Sequence, residues 1–569
     1  MIAHRVQAGL CPDPTRVVAR LFLPGDELER ANSRVSHIVG RVMSLAEDEA
    51  ERLAAGLLRD FGDRHHNYQE LLRRHAAIVS ARIADAGELT AARTLLLGAT
   101  FTAEYATEAA AVCNPSAVLD PDQTGLRAGQ ARVALSVRGI GEGHISSIGF
   151  CSAIVGPGVQ WSFEPRPLPV SVADTTPASW RRAHLRAVLA DQGHLDELAE
   201  TVLRALPAEF EGTDLERVLA NAHHDLMSRA GSTATVDLLR KVVSSAYNAS
   251  FARDAALGQR ILSPAVDEES NGMEDARFTL FVDDDGTAEY RATYTAYDGR
   301  GISPRLLISS DLRVFRACRL AGPAARNKGM ALFPRKVHGH YLALCRSDGE
   351  STSLASSADG YVWGREVVVQ EPSAPWEMLQ VGNCGSPIET DQGWLVFTHG
   401  VGPMRVYVIG ALLLDLDDPT RIVGRSRTPL LPPAEDEQDG YVPNVVYSCG
   451  AFVHDGLVWI PYGIDDYRIG VAYAPLGELL ADLSSPSLVR WLSSTMRSAP
   501  NRATARAWTA ERSSRVAART ASTDDSMSWV WYPVTPSSTP SVIEPRRLAT
   551  TGVPHAMAST TDRPNGSSK

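Results

Sequence analysis

The sequence lacks any stretch of about 20 consecutive apolar residues, the length that a membrane-spanning helix requires. Its first 25 residues interleave Arg and Pro with apolar residues, and they contain no continuous apolar run of the signal-peptide type. We therefore expect a protein with no membrane partner and a cytoplasmic location.

Cysteine is scarce and scattered, because the seven cysteines are odd in number and include no CxxC pair. This pattern is typical of reduced thiols in a cytoplasm. The histidines of the predicted helices, such as His65, His66 and His75, form no HExxH or comparable ligand spacing. We expect no metal and no organic cofactor.

The chain also lacks a basic excess. Lys and Arg number 56 against 67 Asp and Glu among the 569 residues, and the net charge of −11 argues against a protein that mainly binds nucleic acid. The exception is 497–569, a Ser/Thr/Pro-rich tail with ten Arg or Lys and five Asp or Glu. Because this tail has no apolar period, we predict a disordered basic segment, with a weak RNA- or membrane-contacting arm as the alternative.

Helical periodicity dominates the first part of the chain. Apolar residues recur at spacings of three and four through much of 1–235, which predicts a largely α-helical N-terminal region. A strand-rich insert at about 131–170 contains RVALSVRG and HISSIGFCSAIVG, which are rich in β-branched residues.

From 236 to 490 the pattern changes to repeated strand pairs. Four units, at a spacing of roughly 50 residues, each contain a strand, a short Gly-containing turn and an aromatic-rich second strand. This repeat predicts a mainly β fold, a five-bladed β-propeller whose fifth blade uses earlier strands, with a β-sandwich as the alternative. The DDDG sequence at 283–286 is expected to be a hairpin turn.

Polar residues begin or end nearly every predicted strand of this region. In GMEDARF, Glu274, Asp275 and Arg277 immediately precede the strand-like FTLFV. A propeller brings such residues together around one axis, so we expect them to share a pocket. The other members are Asn248, Tyr294, Asp298, Asn327, Lys328, Arg346, Asp348, Asn383, His399, Arg405, Asn444, Tyr447, Asp465 and Asp466.

Seven motifs, in the same order, resemble glycoside hydrolase family 130, the mannoside phosphorylases and related mannosidases. They are GMEDARF, YTAYDGR, NKGMALFPRKV, WEMLQVGNCGSPIET, GWLVFTHGVGPMR, IGALLLDLDDPTRIVGR and GYVPNVVYSCG followed by PYGIDD. The resemblance covers about 240–480, and the helical N-terminal half looks like the extension of the longer members. It implies a five-bladed propeller with its active site on the axis.

The resemblance also implies roles for particular residues. Asp275 matches the catalytic acid of the family, although Ala276 stands where Pro is usual. The phosphate-binding positions are Lys328, Arg346 and His399, with Arg277 and Arg405 as further cations. The positions expected to hold the sugar are Asn248, Glu274, Tyr294, Asn383 and Asp466.

The nucleophile distinguishes two reactions. A phosphorylase needs cations that hold phosphate, whereas an inverting hydrolase needs a second carboxylate that activates water. The cations favour an inverting phosphorylase that cleaves a β-linked mannoside oligosaccharide with inorganic phosphate and releases α-mannose 1-phosphate. The alternatives are an inverting β-mannosidase, with Glu389 or Glu437 as the base, and a propeller that binds glycans without turnover. A homo-oligomer is also expected from the family.

The stretch GIGEGHISS at 139–147 is a further candidate. Its glycines would let the backbone approach a ligand closely. If this stretch is a blade strand, Glu142 and His144 would line the pocket.

Overall fold

Antiparallel β-sheets make up most of the part of the chain that the structure describes. The structure is a computed structural model, and it describes residues 2–23, 34–81, 89–222 and 231–484. The prediction of a mainly β fold is confirmed. The predicted tail at 497–569 lies outside the described residues.

Nine α-helices are described, and eight of them precede residue 245. Among the described residues, no helix combines the length and apolar character needed to cross a membrane. The helices are α1 Arg34–Met43, α2 Glu47–Phe61, α3 Tyr68–Ser80, α4 Ala91–Thr100, α5 Arg182–Asp191, α6 Glu197–Ala205, α7 Gly212–Ala220, α8 Ser232–Ser244 and α9 Leu476–Leu483.

The strands before residue 263 are more numerous than the predicted insert at 131–170 implies. Three of them, β5 to β7, lie within that insert, but the others lie outside it, so the N-terminal region is less helical than predicted. The strands are β1 His4–Leu10, β2 Val17–Leu21, β3 Thr102–Ala106, β4 Ala111–Leu119, β5 Ala131–Ile140, β6 Ser146–Gly156, β7 Gln160–Phe163, β8 Ser171–Val172, β9 Asp174–Pro177, β10 Trp180–Arg181, β11 Glu209–Phe210, β12 Tyr247–Ser250 and β13 Arg260–Leu262.

The remaining strands follow one another with few helices between them. They are β14 Gly272–Val282, β15 Ala288–Tyr297, β16 Ile302–Ser309, β17 Val314–Arg319, β18 Ala331–Leu332, β19 Tyr341–Cys345, β20 Thr352–Ser357, β21 Val367–Gln370, β22 Gln380–Asn383, β23 Ile388–Thr390, β24 Gly393–Val401, β25 Tyr407–Leu414, β26 Ile422–Arg425, β27 Val446–Tyr447, β28 Phe452–His454, β29 Leu457–Ile464 and β30 Arg468–Pro475.

Consecutive strands pair with each other in most of the sheets. One sheet has the order β18-β19-β20-β21, another β22-β24-β25-β26 and a third β27-β29-β30-β1. The largest sheet contains the paths β4-β5-β6 and β14-β15-β16-β17, which are joined where β6 meets β14. In that junction Gly272 of β14 pairs in parallel with Ser146 of β6.

The strand nearest the N-terminus belongs to the same sheet as the last strands of the described chain. β1 pairs antiparallel with β30, from His4 opposite Tyr473 to Leu10 opposite Ile469. Arg5 also forms a 2.6 Å ion pair with Glu437. Residues more than 430 positions apart therefore share one sheet.

The hairpin of β14 and β15 confirms the turn that the DDDG sequence predicts. Asp283 donates its backbone N–H to the Thr287 carbonyl at 2.9 Å, and Gly286 has φ of 82°. Glycine adopts this left-handed conformation without the steric penalty of a side chain. β14 is buried along nearly its whole length, which agrees with its apolar FTLFV sequence.

Candidate active site

A β-bulge in β14 carries Asp275. Glu274 lies opposite Thr295 and Arg277 opposite Thr293, so two residues of β14 face a single residue of β15. Asp275 has a left-handed backbone, with φ of 54°. A bulge of this kind redirects a side chain out of the strand alternation, and such strained residues concentrate at functional sites.

A second bulge, in β4, supplies the partner of this carboxylate. Cys113 lies opposite Arg138 and Ser116 opposite Ser136, and Asn114 between them has φ of 50°. The Asn114 amide donates to Asp275 Oδ1 at 2.8 Å. Two bulges in different strands thus turn an amide and a carboxylate towards each other.

Two cations hold the neighbouring Glu274. Arg138 Nη2 donates to Glu274 Oε1 at 2.7 Å, and Lys328 Nζ donates to Glu274 Oε2 at 2.5 Å. Arg138 Nη1 also lies 3.5 Å from Asp275 Oδ1. Asn114, Arg138, Glu274, Asp275, Arg277, Lys328 and Asp466 are called the Asp275 cluster below.

Arg277 is the most deeply buried cation of the cluster and is fully engaged by protein atoms. It donates to the Cys384 carbonyl, the Asp275 carbonyl and the Tyr447 hydroxyl at 2.8, 2.9 and 2.8 Å. Its Nη2 lies 3.8 Å from Asp275 Oδ2. Arg277 therefore connects β14 with the chain before β23 and with β27, and it adds positive potential below Asp275.

The two aspartates of the cluster have opposite pKa shifts. Burial raises the pKa of Asp275, but Arg138, Arg277, the Asn114 hydrogen bond and Lys328 together hold it below its ordinary value. Burial raises the pKa of Asp466 to about 6; Arg138 and Arg405 oppose this shift, and the charges of Asp275 and Glu274 add to it. In the free protein the cluster thus contains an ionised Asp275 and an Asp466 that takes up a proton as the pH falls through about 6.

Arg346 and His399 form a second polar group. Arg346 Nη1 donates to His399 Nε2 at 2.7 Å. Burial, Arg346 and Arg277 lower the pKa of His399 far below its ordinary value, so its ring is neutral and adds no positive charge. The His399 ring contacts the Tyr447 ring edge-to-face at a centroid distance of 4.9 Å, and Tyr447 in turn binds Arg277.

Asn383 and Arg405 lie next to these groups. Asn383 donates to the carbonyl of Gly329, which directly follows Lys328, at 2.8 Å. The Asn383 Oδ1 is buried and has no hydrogen-bond partner among the described atoms. Arg405 has a left-handed backbone, with φ of 59°, and its charge lowers the pKa of Asp466.

Asn248 and Tyr294, which are predicted to bind the sugar, contact other parts of the fold. Asn248 is in β12, which pairs with β17 and β9, and its amide donates to the Pro177 carbonyl at 3.4 Å. Tyr294 follows Thr293, the partner of Arg277, so strand alternation directs it to the opposite face. The structure does not bring either side chain into the Asp275 cluster.

A buried network occupies the Tyr294 hydroxyl. It donates to Glu269 Oε1 at 2.5 Å and accepts from Arg305 Nε at 2.8 Å. These bonds satisfy the phenol within the core, where an unpaired polar group would be costly.

The two reserve carboxylates of the hydrolase alternative are also engaged elsewhere. Glu389 pairs with Arg335 at 2.5 Å in the outer hairpin of β23 and β24. Glu437 accepts from Arg5 at 2.6 Å and from the Tyr462 hydroxyl at 2.6 Å. Neither contacts the Asp275 cluster, which contains Glu274 and Asp466 as its only further carboxylates among the described residues.

Sequence reasoning missed Asn114 and Arg138. Both lie in strands of the N-terminal region, about 140 to 160 positions before Asp275, and no local motif marks them. A signal was present in the RVALSVRG strand, since it places an Arg among the apolar residues of a predicted buried strand, and the structure leaves that Arg138 side chain only 19% exposed. A buried Arg requires an acidic partner, which is found here in GMEDARF.

Comparison with known proteins identifies the lineage of this fold. The model of glycoside hydrolase family 130, described as beta-1,4-mannooligosaccharide phosphorylase, matches residues 245–484. A 1,2-beta-oligomannan phosphorylase of Thermoanaerobacter sp. (strain X514) is 33% identical over 230 residues, which are 39% of this chain and 75% of the relative. A beta-1,2-mannobiose phosphorylase of the same strain is 35% identical over 216 residues, which are 37% of this chain and 70% of the relative.

A solved structure of a beta-1,2-mannobiose phosphorylase from Listeria innocua, in complex with beta-1,2-mannobiose, has a TM-score of 0.38 and 22% identity. The match covers 67% of this chain and 93% of that chain. The family is assigned on the sequence relatives, of which this chain spans more than two thirds at above 30% identity. The chain belongs to glycoside hydrolase family 130.

Proposed function

We propose that this protein is an inverting phosphorylase that cleaves a β-linked mannoside oligosaccharide with inorganic phosphate and releases α-mannose 1-phosphate. The observation that carries this proposal is Asp275, which a bulge directs into a cluster with three cations, Arg138, Arg277 and Lys328. An acid beside an anion-binding cluster is what phosphorolysis requires. The relatives in the comparisons are named as mannoside phosphorylases, which supports the same reaction.

The fold is proposed to be a five-bladed β-propeller with its site on the axis. The support comes from five groups of sheet strands, β4–β7, β14–β17, β18–β21, β22–β26 and β27–β30 with β1. The first strand of each group, or the segment just before it, contributes one polar residue to the site: Asn114, Asp275, Lys328, Asn383 and Tyr447. Convergence of the inner strands is the property by which a propeller builds a central pocket.

In the proposed reaction an oxygen of phosphate attacks the anomeric carbon opposite the leaving group. The bond to the leaving sugar breaks as the new carbon–oxygen bond forms, so the configuration inverts. Asp275 supplies the proton that the leaving oxygen needs; the family resemblance implies that this proton passes through a hydroxyl of the bound mannose. Phosphate is an anion already and needs no base.

The low pKa of Asp275 in the free protein requires a source for that proton. The pKa is lowered by the same cations that are proposed to attract phosphate. When a phosphate dianion binds, its charge offsets theirs, and the pKa of Asp275 rises again. We therefore infer that Asp275 takes up its proton as phosphate binds, and that Asp466, whose pKa is about 6, is the more easily protonated carboxyl beside it.

Lys328 and Arg346 are proposed to bind phosphate directly, with Arg277 and Arg405 adding positive potential. Lys328 is 39% exposed and pairs with Glu274 in the free protein, so it can turn to an incoming anion. His399 is neutral and holds Arg346 in place. Glu274, Asn383 and Asp466, together with Asn114 and Arg138, are proposed to hold the sugar.

Two further expectations belong to this proposal. A cytoplasmic location is supported by the seven cysteines, all described and without a disulfide partner. A homo-oligomer is expected from the family alone.

The test is to incubate the purified full chain with β-1,2-, β-1,3- and β-1,4-mannobiose, with and without phosphate. We expect α-mannose 1-phosphate, detected by ³¹P NMR, only when phosphate is present, and β-1,2-mannobiose is the first substrate to try because of the relatives' names. Free mannose formed without phosphate would instead identify a β-mannosidase, and binding without turnover would identify a glycan-binding propeller.

A Lys328→Ala variant tests the phosphate contact. Its KM for phosphate should rise by roughly 10- to 100-fold, because a charge-assisted contact of about 1.5–3 kcal/mol is lost. An unchanged phosphate response would exclude Lys328 from the phosphate site.

A further inference from the structure

Two loops that are distant in sequence touch beside the Asp275 cluster. His144 ends a short 3₁₀ turn, Glu142–His144, between β5 and β6, and Tyr441 precedes β27. The GIGEGHISS stretch is thus partly a turn between strands, not one continuous strand. His144 and Tyr441 are called the rim pair below.

The rim pair is held in one arrangement by two contacts. The Tyr441 hydroxyl and His144 Nδ1 are 2.9 Å apart and share a hydrogen bond. The two rings stack at a centroid distance of 5.9 Å and an interplanar angle of 25°. An aromatic surface therefore spans the gap between the loops.

Both loops are held by backbone hydrogen bonds close in sequence to residues of the Asp275 cluster. The turn of His144 directly follows β5, the strand of Arg138, and the Gly141 N–H donates to the Ile145 carbonyl at 3.1 Å. On the other side, the Val442 N–H donates to the carbonyl of Asp465, the neighbour of Asp466, at 2.8 Å.

The charges of two residues of the Asp275 cluster act on the Tyr441 hydroxyl. Burial raises the pKa of Tyr441, Arg138 lowers it and Asp466 raises it. Close packing adds to this, since a Cβ on Gly440 would lie 2.3 Å from Asp465 Cβ. The rim pair is therefore adjacent to the Asp275 cluster.

A contact that served only to join two loops would bury its ring, but Tyr441 remains 43% exposed. His144 has φ of 59°, a conformation that costs a non-glycine residue about 1–3 kcal/mol and that Gly would adopt more easily. An exposed aromatic surface and a strained, non-glycine turn residue beside a reactive cluster both indicate ligand contact.

We propose that the rim pair forms a wall of the subsite for the leaving sugar, the pyranose that accepts the proton in phosphorolysis and attacks α-mannose 1-phosphate in the reverse reaction. The apolar C–H face of a pyranose packs on the Tyr441 ring, while its hydroxyls reach the polar atoms around it. This inference rests on the proposed function and adds the residues that determine which acceptor is used.

The test compares Tyr441→Ala, Tyr441→Phe and His144→Ala with the wild-type chain in the reverse direction, with mannose as the acceptor. For Tyr441→Ala we expect the acceptor KM to rise by roughly threefold to tenfold, with the KM for α-mannose 1-phosphate unchanged. Tyr441→Phe keeps the ring, so its acceptor KM should stay within about twofold of wild type, and His144→Ala should lie between them.

β-Mannosyl fluoride with phosphate separates the subsite from the rest of the reaction. Fluoride leaves without a sugar, so kcat/KM for this donor should be the same in Tyr441→Ala and wild type. Phe22 is an exposed aromatic residue that follows β2, and Phe22→Ala is the matched control. This variant should leave kcat/KM unchanged for both mannobiose and the fluoride.

If Tyr441→Ala lowers kcat/KM by the same factor for β-mannosyl fluoride and for mannobiose, Tyr441 has a structural role and the proposal is overturned. An unchanged acceptor KM in a folded Tyr441→Ala protein would overturn it too. If wild type turns over neither substrate, the proposed function itself fails, and the subsite inference fails with it. Turnover of the fluoride by wild type establishes the reaction independently of the rim pair.

Discussion

Asn114 and Asp275 each pay a conformational cost for the contact between them. Both have left-handed backbones, and such residues cost about 1–3 kcal/mol each. The compensation is a 2.8 Å hydrogen bond in which a buried carboxylate accepts from an amide. Charged hydrogen bonds are worth about 1.5–3 kcal/mol, which offsets only part of a combined cost of about 2–6 kcal/mol, so the pair is best explained by its function.

Asp275→Asn tests the proton donor at this position. We expect kcat for mannobiose to fall by roughly 10²- to 10⁴-fold, because the leaving sugar oxygen must be protonated. Turnover of 2,4-dinitrophenyl β-mannoside with phosphate should fall far less, since dinitrophenolate leaves without a proton. The measurement is the ratio of the two losses.

Asp391→Asn, at an exposed turn between β23 and β24, is the matched control and should leave both rates at the wild-type level. If Asp275→Asn lowers both rates by the same factor, Asp275 is not the proton donor. Asp466→Asn, assayed in the same way, then becomes the next variant to examine.

Asp466 also makes a prediction about stability. Its pKa is raised from 3.8 to about 6 in the folded protein, so folding disfavours its ionised form. The penalty is absent below the unfolded pKa, grows as the pH rises between the two values and is complete above the folded pKa. Asp466→Asn should therefore increase the free energy of unfolding at pH 8 by up to about 3 kcal/mol.

This gain should shrink as the pH falls through about 6 and approach zero below about 3, because Asp466 is then protonated in both states. Urea unfolding of wild type and variant at a series of pH values measures the difference. A gain that is constant with pH, or that increases towards acid, would contradict the raised pKa. Asp391→Asn again supplies the control, with no comparable pH-dependent gain expected.

At the scale of elements, the sequence predicts strands and turns well but not their irregularities. FTLFV and the DDDG turn identify β14 and its hairpin because alternation and turn preference are local properties. The bulges of β4 and β14 have no local signature, since they arise where two strands must direct a side chain at each other. Tyr294 shows the same limit. The sequence places it at the correct point along β15, but it does not show that the side chain lies on the face of the sheet that contacts Glu269.

Gly272 tests the junction between β14 and β6. Its φ is 142°, and an added Cβ would lie 2.9 Å from the backbone nitrogen of Ser146. Gly272→Ala must therefore accept backbone strain and also displace β6, so we expect a loss of about 2–4 kcal/mol in stability. Because Asp275 is three residues away, kcat should fall as well.

Gly286, in the turn after β14, is the matched control. Its φ is 82°, but an added Cβ there meets nothing within 4 Å. Gly286→Ala should cost only about 1 kcal/mol from strain and leave kcat unchanged. Equal losses of stability in Gly272→Ala and Gly286→Ala would show that the close approach of Gly272 to Ser146 is unimportant.

At the scale of the whole molecule, the sheet formed by β1 and β30 was beyond sequence prediction. The segment HRVQAGL alternates weakly, and nothing in it identifies a partner 460 positions away. Pairing over such a distance depends on the arrangement of all the intervening sheets. The family motifs lie at 240–480, so a resemblance based on them could not assign this strand or the positions of Asn114 and Arg138.

The two ends of the chain should consequently differ in importance. Deleting residues 2–10 removes β1, exposes the edge of β30 and leaves Glu437, whose side chain is 3% exposed, without Arg5. Loss of one partner of a buried ion pair alone costs about 3–5 kcal/mol, so this deletion should abolish phosphorolysis and lower the melting temperature sharply.

Ending the chain after Ser494 should leave both activity and melting temperature close to wild type, because residues 1–494 form one unit that contains every proposed site residue. Thermal unfolding monitored by circular dichroism, with phosphate-dependent turnover of mannobiose, measures both effects. Retained stability without β1 would contradict its inclusion in the group of β27–β30, and lost activity after the C-terminal truncation would show that residues 1–494 do not suffice for activity.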